Sequence, residues 1–122
     1  MRRFGDWLAS TEDLQRAFGA EPRGLAGEAL AEYLTWNFAA LTEELGELMH
    51  ELPWAPWKSG RGEPTPGQLD LAREEWVDMQ HFAANIALAL GLTDELASEL
   101  YAAKQQVNRE RLRTGRSLET PT

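Results

Sequence analysis

Two short acidic runs are the part of the chain whose spacing could support chemistry. Glu44 and Glu47 lie three residues apart, and so do Glu75 and Asp78. Acids at positions i and i+3 project from the same side of a helix, and carboxylate oxygens are ligands that Mg²⁺ prefers. Two such pairs facing each other would repel unless cations neutralised them. The pattern therefore predicts a Mg²⁺ site, and Mg²⁺ in turn indicates a ligand that carries phosphate.

The two acid pairs fall on the two longest predicted helices. Apolar residues recur at helical spacing along 30–52, and Pro53 ends that helix. The next helix opens with a capping-box pattern at 65–68 and stops at Gly91. Between them, residues 53–65 contain three prolines and two glycines, so we predict a loop.

Both acid pairs lie along the same edge of the apolar stripe of their helix. At about 100° per residue, Glu44 and Glu75 border the stripe, and Glu47 and Asp78 lie one step outward. Antiparallel packing of the two helices would therefore bring the four carboxylates together. Glu43 projects away from the stripe, so we expect it outside the direct ligands or facing a neighbouring subunit. The alternative interpretation is that these acidic faces are simply solvated.

A shorter helix is predicted on each side of this pair. The first covers 7–18, with Asp6 or Ser10 as its N-cap, and the last covers 93–115 with an apolar stripe of its own. No segment has the alternation typical of a strand. The predicted fold class is therefore all-α, a four-helix bundle.

Composition narrows the classes of partner. The 122 residues include 12 basic and 20 acidic side chains, a net charge of -8, which argues against a nucleic-acid partner. The absence of cysteine excludes disulfides and thiolate metal sites. No stretch has the length and apolarity of a membrane span or a signal peptide, so we expect no membrane partner and a cytoplasmic location. We predict a single domain over 1–122, with a disordered tail at 116–122.

Eight further residues are candidates for binding a substrate: Asn37, Trp57, Lys58, Asn85, Tyr101, Lys104, Asn108 and Arg111. The last four recur along one face of the final helix, where cations could bind phosphates or simply complement the helix dipole. In the loop, Trp57 could stack on a base while Lys58 approaches phosphate. Asn37 and Asn85 lie beside the acids and could read a base, hold a metal-bound water, or form interhelical hydrogen bonds.

These motifs resemble those of a known superfamily. Glu43-Glu44-Leu45-Gly46-Glu47 followed by Glu75-Trp76-Val77-Asp78 is similar to the EExxE and ExxD signature of the all-α nucleoside triphosphate pyrophosphohydrolases, which include MazG and the dimeric dUTPases. Trp57-Lys58 and the pattern from Tyr101 to Arg111 look most like the dimeric dUTPases.

The resemblance implies a MazG-like core assembled as a homodimer or a dimer of dimers (homotetramer). It implies hydrolysis of a (deoxy)nucleoside triphosphate to a monophosphate and pyrophosphate, with Mg²⁺ as cofactor and Mn²⁺ as a substitute. Because the similarity to the dUTPases is the greater, dUTP is the expected substrate. It also implies the cytosol of a bacterium or of a phage-infected host.

The resemblance further implies roles for individual residues. The catalytic metal ligands of the chain would be Glu44, Glu47, Glu75 and Asp78. Glu44 would also orient or deprotonate the attacking water. Lys58, with Lys104, Asn108 and Arg111, would bind phosphates, and Trp57 would lie near the nucleoside. Two alternatives stay open: a MazG-like enzyme acting on purine nucleotides such as dGTP or dATP, and a non-catalytic helical oligomerisation module.

Overall fold

The computed structural model of the protein describes residues 4–115. Four helices account for most of this range: α1 (Trp7–Ala17), α2 (Gly27–Glu51), α3 (Pro66–Ala89) and α4 (Asp94–Arg113). Single 3-10 turns lie at Phe4–Asp6 and Pro22–Gly24. The described range contains no strand, which confirms the all-α, four-helix prediction. The tail predicted at 116–122 lies outside it.

The helices α2 and α3 form an antiparallel hairpin, and their contact is the most extensive between any two helices of the described chain. The predicted capping box starts α3: the Thr65 hydroxyl accepts from the Gln68 backbone N–H at 3.1 Å, and the Gln68 side chain accepts from the Thr65 N–H at 2.8 Å. The loop between the helices is the predicted proline-rich segment. None of the helices described is long and apolar enough to cross a bilayer.

The hydrophobic core lies on the other side of α3, where α1 packs. Leu8 of α1 and Ala84 and Leu88 of α3 are completely buried, and Ala87 is nearly so. The small alanine side chains let α1 approach α3 closely. Trp7 closes the edge of this core, and its indole N–H donates to the backbone oxygen of Gln80 at 3.1 Å.

The side chain that caps the N-terminus of α1 comes from the start of α4. Of the two predicted caps, Ser10 lies inside the helix, so that prediction is wrong, whereas Asp6 is confirmed by position only. Asp6 occupies the N-cap position without a side-chain capping bond. Instead, the Asp94 carboxylate accepts from the N–H groups of Leu8 at 2.8 Å and Ala9 at 3.1 Å. Because the first N–H groups of a helix have no partner inside it, this contact ties the start of α4 to α1.

The helix α4 makes its main contact within the chain with α1. None of its residues, all of which the structure describes, is buried. Its predicted apolar stripe is exposed; Leu100, for example, is 51% exposed, and Val107 is 43% exposed. Among residues 4–115, therefore, nothing buries the apolar side of α4.

Candidate metal centre

Three of the four predicted metal ligands meet across the α2–α3 contact. One oxygen each from Glu44, Glu75 and Asp78 lie within 4.8 Å of one another. Glu44 and Glu75 are half-buried, whereas Asp78 is exposed. Because a Mg²⁺ ion lies about 2.1 Å from each ligand oxygen, oxygens on opposite sides of one ion are about 4.2 Å apart. A small adjustment of these side chains would therefore suffice to coordinate a cation.

Glu47, the fourth predicted ligand, joins the cluster through Glu75. A side-chain hydrogen bond with Glu75, followed by the charge of that residue, raises the pKa of Glu47 above its ordinary value. The pKa of Glu75 is also raised, chiefly by a hydrogen bond with Glu44 and by burial, and further by the charges of Glu44 and Asp78. Both pKa shifts follow from the close packing of carboxyl groups, and burial adds to the shift of Glu75.

Two buried carboxylate oxygens in the cluster indicate whether the site can hold a metal ion. Glu44 Oε2 and Glu75 Oε2 are buried and make no hydrogen bond within the part of the chain that the structure describes. A buried acceptor without a partner is costly, and a carboxylate has no hydrogen of its own to share while it is ionised. Oxygen donors that converge in this way match the ligand preference of Mg²⁺ and Mn²⁺. The residues present therefore fit a divalent cation.

An open cavity of about 400 Å³ lies beside the acids. Its lining comes from α2 and α3: Glu43, Gly46, Glu47, His50, Glu51 and Glu75. Glu43 was expected outside the direct ligands, and the structure places it on the wall of this cavity. His50 was not expected at the site. Its position three residues after Glu47 was the signal that could have revealed it.

A second cavity, of about 260 Å³, lies between the end of α2 and the loop. His50 lines this cavity as well, together with the cationic residues Lys58 and Arg61. Trp54 forms part of the wall; its indole N–H donates to the Met49 carbonyl at 3.0 Å. Glu47 and Glu75 of the acid cluster and the cations of the loop thus line two neighbouring cavities, and His50 lines both.

Trp57 lies at the outer side of this loop. Its ring meets the ring of Trp54 edge to face, with 5.3 Å between centroids, and its side chain is 71% exposed. An exposed indole, here with the cation Lys58 as its neighbour in the sequence, can stack on a flat ligand.

Asn37 and Asn85, two of the predicted substrate-binding residues, are buried against each other. Asn85 Nδ2 donates to Asn37 Oδ1 at 2.9 Å. Of the interpretations left open for these two residues, the structure shows the interhelical hydrogen bond. Nearby, the Tyr33 hydroxyl donates to the Gln15 side chain at 2.8 Å, which links α2 to α1.

The candidate residues of α4 lie apart from the cavity at the acids. Tyr101 lines a cavity of about 350 Å³ with Trp7 and Asp94 near the start of α1. Arg111 lines a groove of about 700 Å³ along α4 itself. Lys104 is exposed and Asn108 half-buried. As far as the described residues show, the wall of the acid cavity comes from α2 and α3 alone.

Comparison with protein families gives a match over most of the chain. A family model described as dUTPase matches residues 14–108, a range that includes both acid pairs, the loop and most of α4. No curated protein and no solved structure gives a significant match.

Proposed function

Because the chain belongs to the dUTPase family, a family of hydrolases acting on nucleoside triphosphates, we propose that it converts dUTP to dUMP and pyrophosphate with Mg²⁺ as cofactor. The observation that carries the proposal is the meeting of Glu44, Glu75 and Asp78 within 4.8 Å. Buried oxygens without partners on two of these residues support it.

In this proposal the acids act as metal ligands and prepare the attacking water. Bound Mg²⁺ would offset the negative charge that develops on the phosphates. Glu44 orients the water and accepts its proton as the new P–O bond forms and the bond to the departing phosphate oxygen breaks. Glu47, Glu75 and Asp78 complete the ligand set. The crowding of these acids favours the site binding a cation over remaining empty.

The loop supplies the groups that bind the rest of the nucleotide. Lys58 would bind phosphate oxygens as a point charge. Trp57 would pack against the nucleoside, since its ring is exposed and held from one side by Trp54. The two neighbouring cavities support this assignment, since His50 lines both while the loop cations line one and the acids Glu47 and Glu75 line the other.

We further propose that the active form is a homodimer, or a dimer of dimers, in which α4 of one subunit serves the acid cluster of the other. Two observations support this arrangement: the apolar stripe of α4 is exposed in the single chain, and its candidate residues do not line the acid cavity. Lys104, Asn108 and Arg111 would then reach the phosphates across the subunit interface. Exposed apolar helix faces of this kind are typical of subunit contacts.

The direct test measures pyrophosphate release from each common dNTP and NTP with and without Mg²⁺. We expect dUTP to be preferred, and Glu75→Gln or Asp78→Asn to reduce turnover by at least about 100-fold. Glu74→Gln is the matched control, because it removes the same charge from an exposed neighbour and should leave turnover unchanged.

Other outcomes of the same assay would redirect the proposal. Turnover by Glu75→Gln at the parental rate would contradict the assignment of the site. Preference for dGTP or dATP would keep the chemistry and change the substrate to purine nucleotides. A folded parent that hydrolyses none of the nucleotides and binds no Mg²⁺ would point to a non-catalytic oligomerisation module.

A further inference from the structure

The contact between α2 and α3 contains an unusual buried residue. Across the 25 residues of α2, all within the described range, the one buried residue is polar: Asn37, which is 7% exposed. The apolar residues of this helix are half-buried or exposed, Phe38 and Leu45 among the latter. Apolar contacts have little direction, so they specify the position of one helix along another only weakly.

The hydrogen bonds of Asn37, in contrast, are directional. Its Nδ2 donates to the Tyr33 backbone oxygen at 2.8 Å, which fixes the orientation of the amide. Its Oδ1 accepts from Asn85 Nδ2 across the helix contact at 2.9 Å, and Asn85 is 8% exposed. Asn85 Oδ1 is buried without a partner among the described residues, so the pair is not arranged for maximal stability.

The amide pair and the acid cluster are spaced equally on both helices. Asn37 precedes Glu44 by seven residues (44 − 37), and Asn85 follows Asp78 by seven (85 − 78). Seven residues are close to two helical turns, or about 10 Å, so each asparagine shares a face with its acid. Since the helices run antiparallel, pairing of the two asparagines sets the two acids opposite each other.

A shift in the register of α2 against α3 would separate the metal ligands if it exceeded the distance within which their oxygens meet. Slippage of α2 by one turn moves it about 5.4 Å along α3. That displacement exceeds the 4.8 Å within which the three ligand oxygens meet. It would also leave two buried amides without their mutual bond, which disfavours the slipped state.

We propose that the Asn37–Asn85 hydrogen bond fixes the register of α2 against α3 and thereby positions the carboxylates for the cation. The two asparagines are positioning residues, distant from the reacting atoms. Only the consequence for Mg²⁺ rests on the proposed function; the register itself is a property of the helix pair. A single buried asparagine contact is known to select register between packed helices at a cost in stability.

The test replaces both amides with apolar side chains, in the variant Asn37→Leu/Asn85→Leu. Because the chain has no cysteine, spin labels can be attached at Thr35→Cys on α2 and Arg73→Cys on α3, both exposed. Pulsed electron resonance then gives the distance distribution along the hairpin. Calorimetry on unlabelled protein gives the Mg²⁺ affinity. Thr42→Leu is the control, since among the described residues its hydroxyl bonds within α2, to the Phe38 oxygen.

We expect the parent and Thr42→Leu to give one narrow distance distribution. The double variant should melt no lower than the parent, yet show a distribution that is broadened or split by about 5 Å. Its Mg²⁺ affinity should fall at least tenfold. If it fails to fold, Asn37→Ala/Asn85→Ala takes its place.

An unchanged distance distribution in the folded double variant would overturn the proposal, whatever its Mg²⁺ affinity. A split distribution with unchanged Mg²⁺ affinity would overturn the link from register to the site. A parent that binds no Mg²⁺ would instead contradict the proposed function, and the distance measurement would still decide the register.

Discussion

Glu75 is the residue on which the repulsion within the acid cluster centres. Its carboxyl group interacts with Glu44, Glu47 and Asp78, and one of its oxygens is buried without a hydrogen-bond partner. Without a cation, this crowding opposes folding. We therefore expect Glu75→Gln to raise the melting temperature of the metal-free protein by a few degrees. The same change should abolish the rise of several degrees that Mg²⁺ gives the parent, because binding to the folded state alone stabilises it.

Thermal unfolding with and without Mg²⁺ checks this prediction. Glu74→Gln, with the same loss of charge outside the cluster, should retain the full Mg²⁺-dependent rise. If Mg²⁺ stabilised Glu75→Gln as strongly as the parent, the cation would be bound elsewhere.

For individual residues, the sequence predicted which acids meet but not the hydrogen-bond partners or cavities around them. The i, i+3 spacing and the matched stripe edges depend only on helix geometry, so the meeting of Glu44 with Glu75 and Asp78 followed from them. The buried oxygens without partners depend on the helix register and could not be predicted. His50 follows Glu47 by three residues, but its place between two cavities depends on the loop conformation, which this spacing does not specify.

Among the helices, α1 depends most on a contact from a distant part of the chain. The Asp94 carboxylate accepts from two N–H groups at the start of α1. Trp7 links α1 to α3 by a hydrogen bond to the Gln80 backbone oxygen. Asp94→Ala should lower the free energy of unfolding by about 1 to 2 kcal/mol, the usual effect of losing a helix cap. Urea titration measures this value.

Glu95→Ala is the control for this prediction. Glu95 lies in the same first turn of α4, so its loss changes the charge near the helix dipole equally while sparing the α1 cap. Equal destabilisation by the two variants would mean that the charge in α4, and not the bonds to α1, was responsible.

The caps show why helices were more predictable than their docking. Thr65 and Thr93 cap their own helices, and their signals lie within a few residues. The cap of α1 comes from 86 residues further along the chain, so no local pattern could reveal it. The placement of α4 is non-local in the same way: its apolar stripe could be predicted from the sequence, whereas the exposure of that stripe could not.

For the whole molecule, the decisive question is whether each acid cluster is completed by α4 of another subunit. The two halves of the proposed site can be inactivated separately. Glu75→Gln removes a metal ligand and keeps α4 intact, whereas Lys104→Ala/Arg111→Ala removes the phosphate-binding cations and keeps the acids intact. Each variant alone should show little turnover of dUTP.

After denaturation and refolding as a 1:1 mixture, half of the dimers should contain one subunit of each variant. In such a dimer, the acids of the α4 variant meet the intact α4 of the Glu75→Gln subunit, so one of its two sites is complete. We therefore expect the mixture to recover about one quarter of the parental activity per subunit. Light scattering would verify the dimer, and native mass spectrometry the mixed species. If mixed dimers form and no activity returns, α4 must act on the acids of its own chain, and the exposed stripe would serve assembly alone.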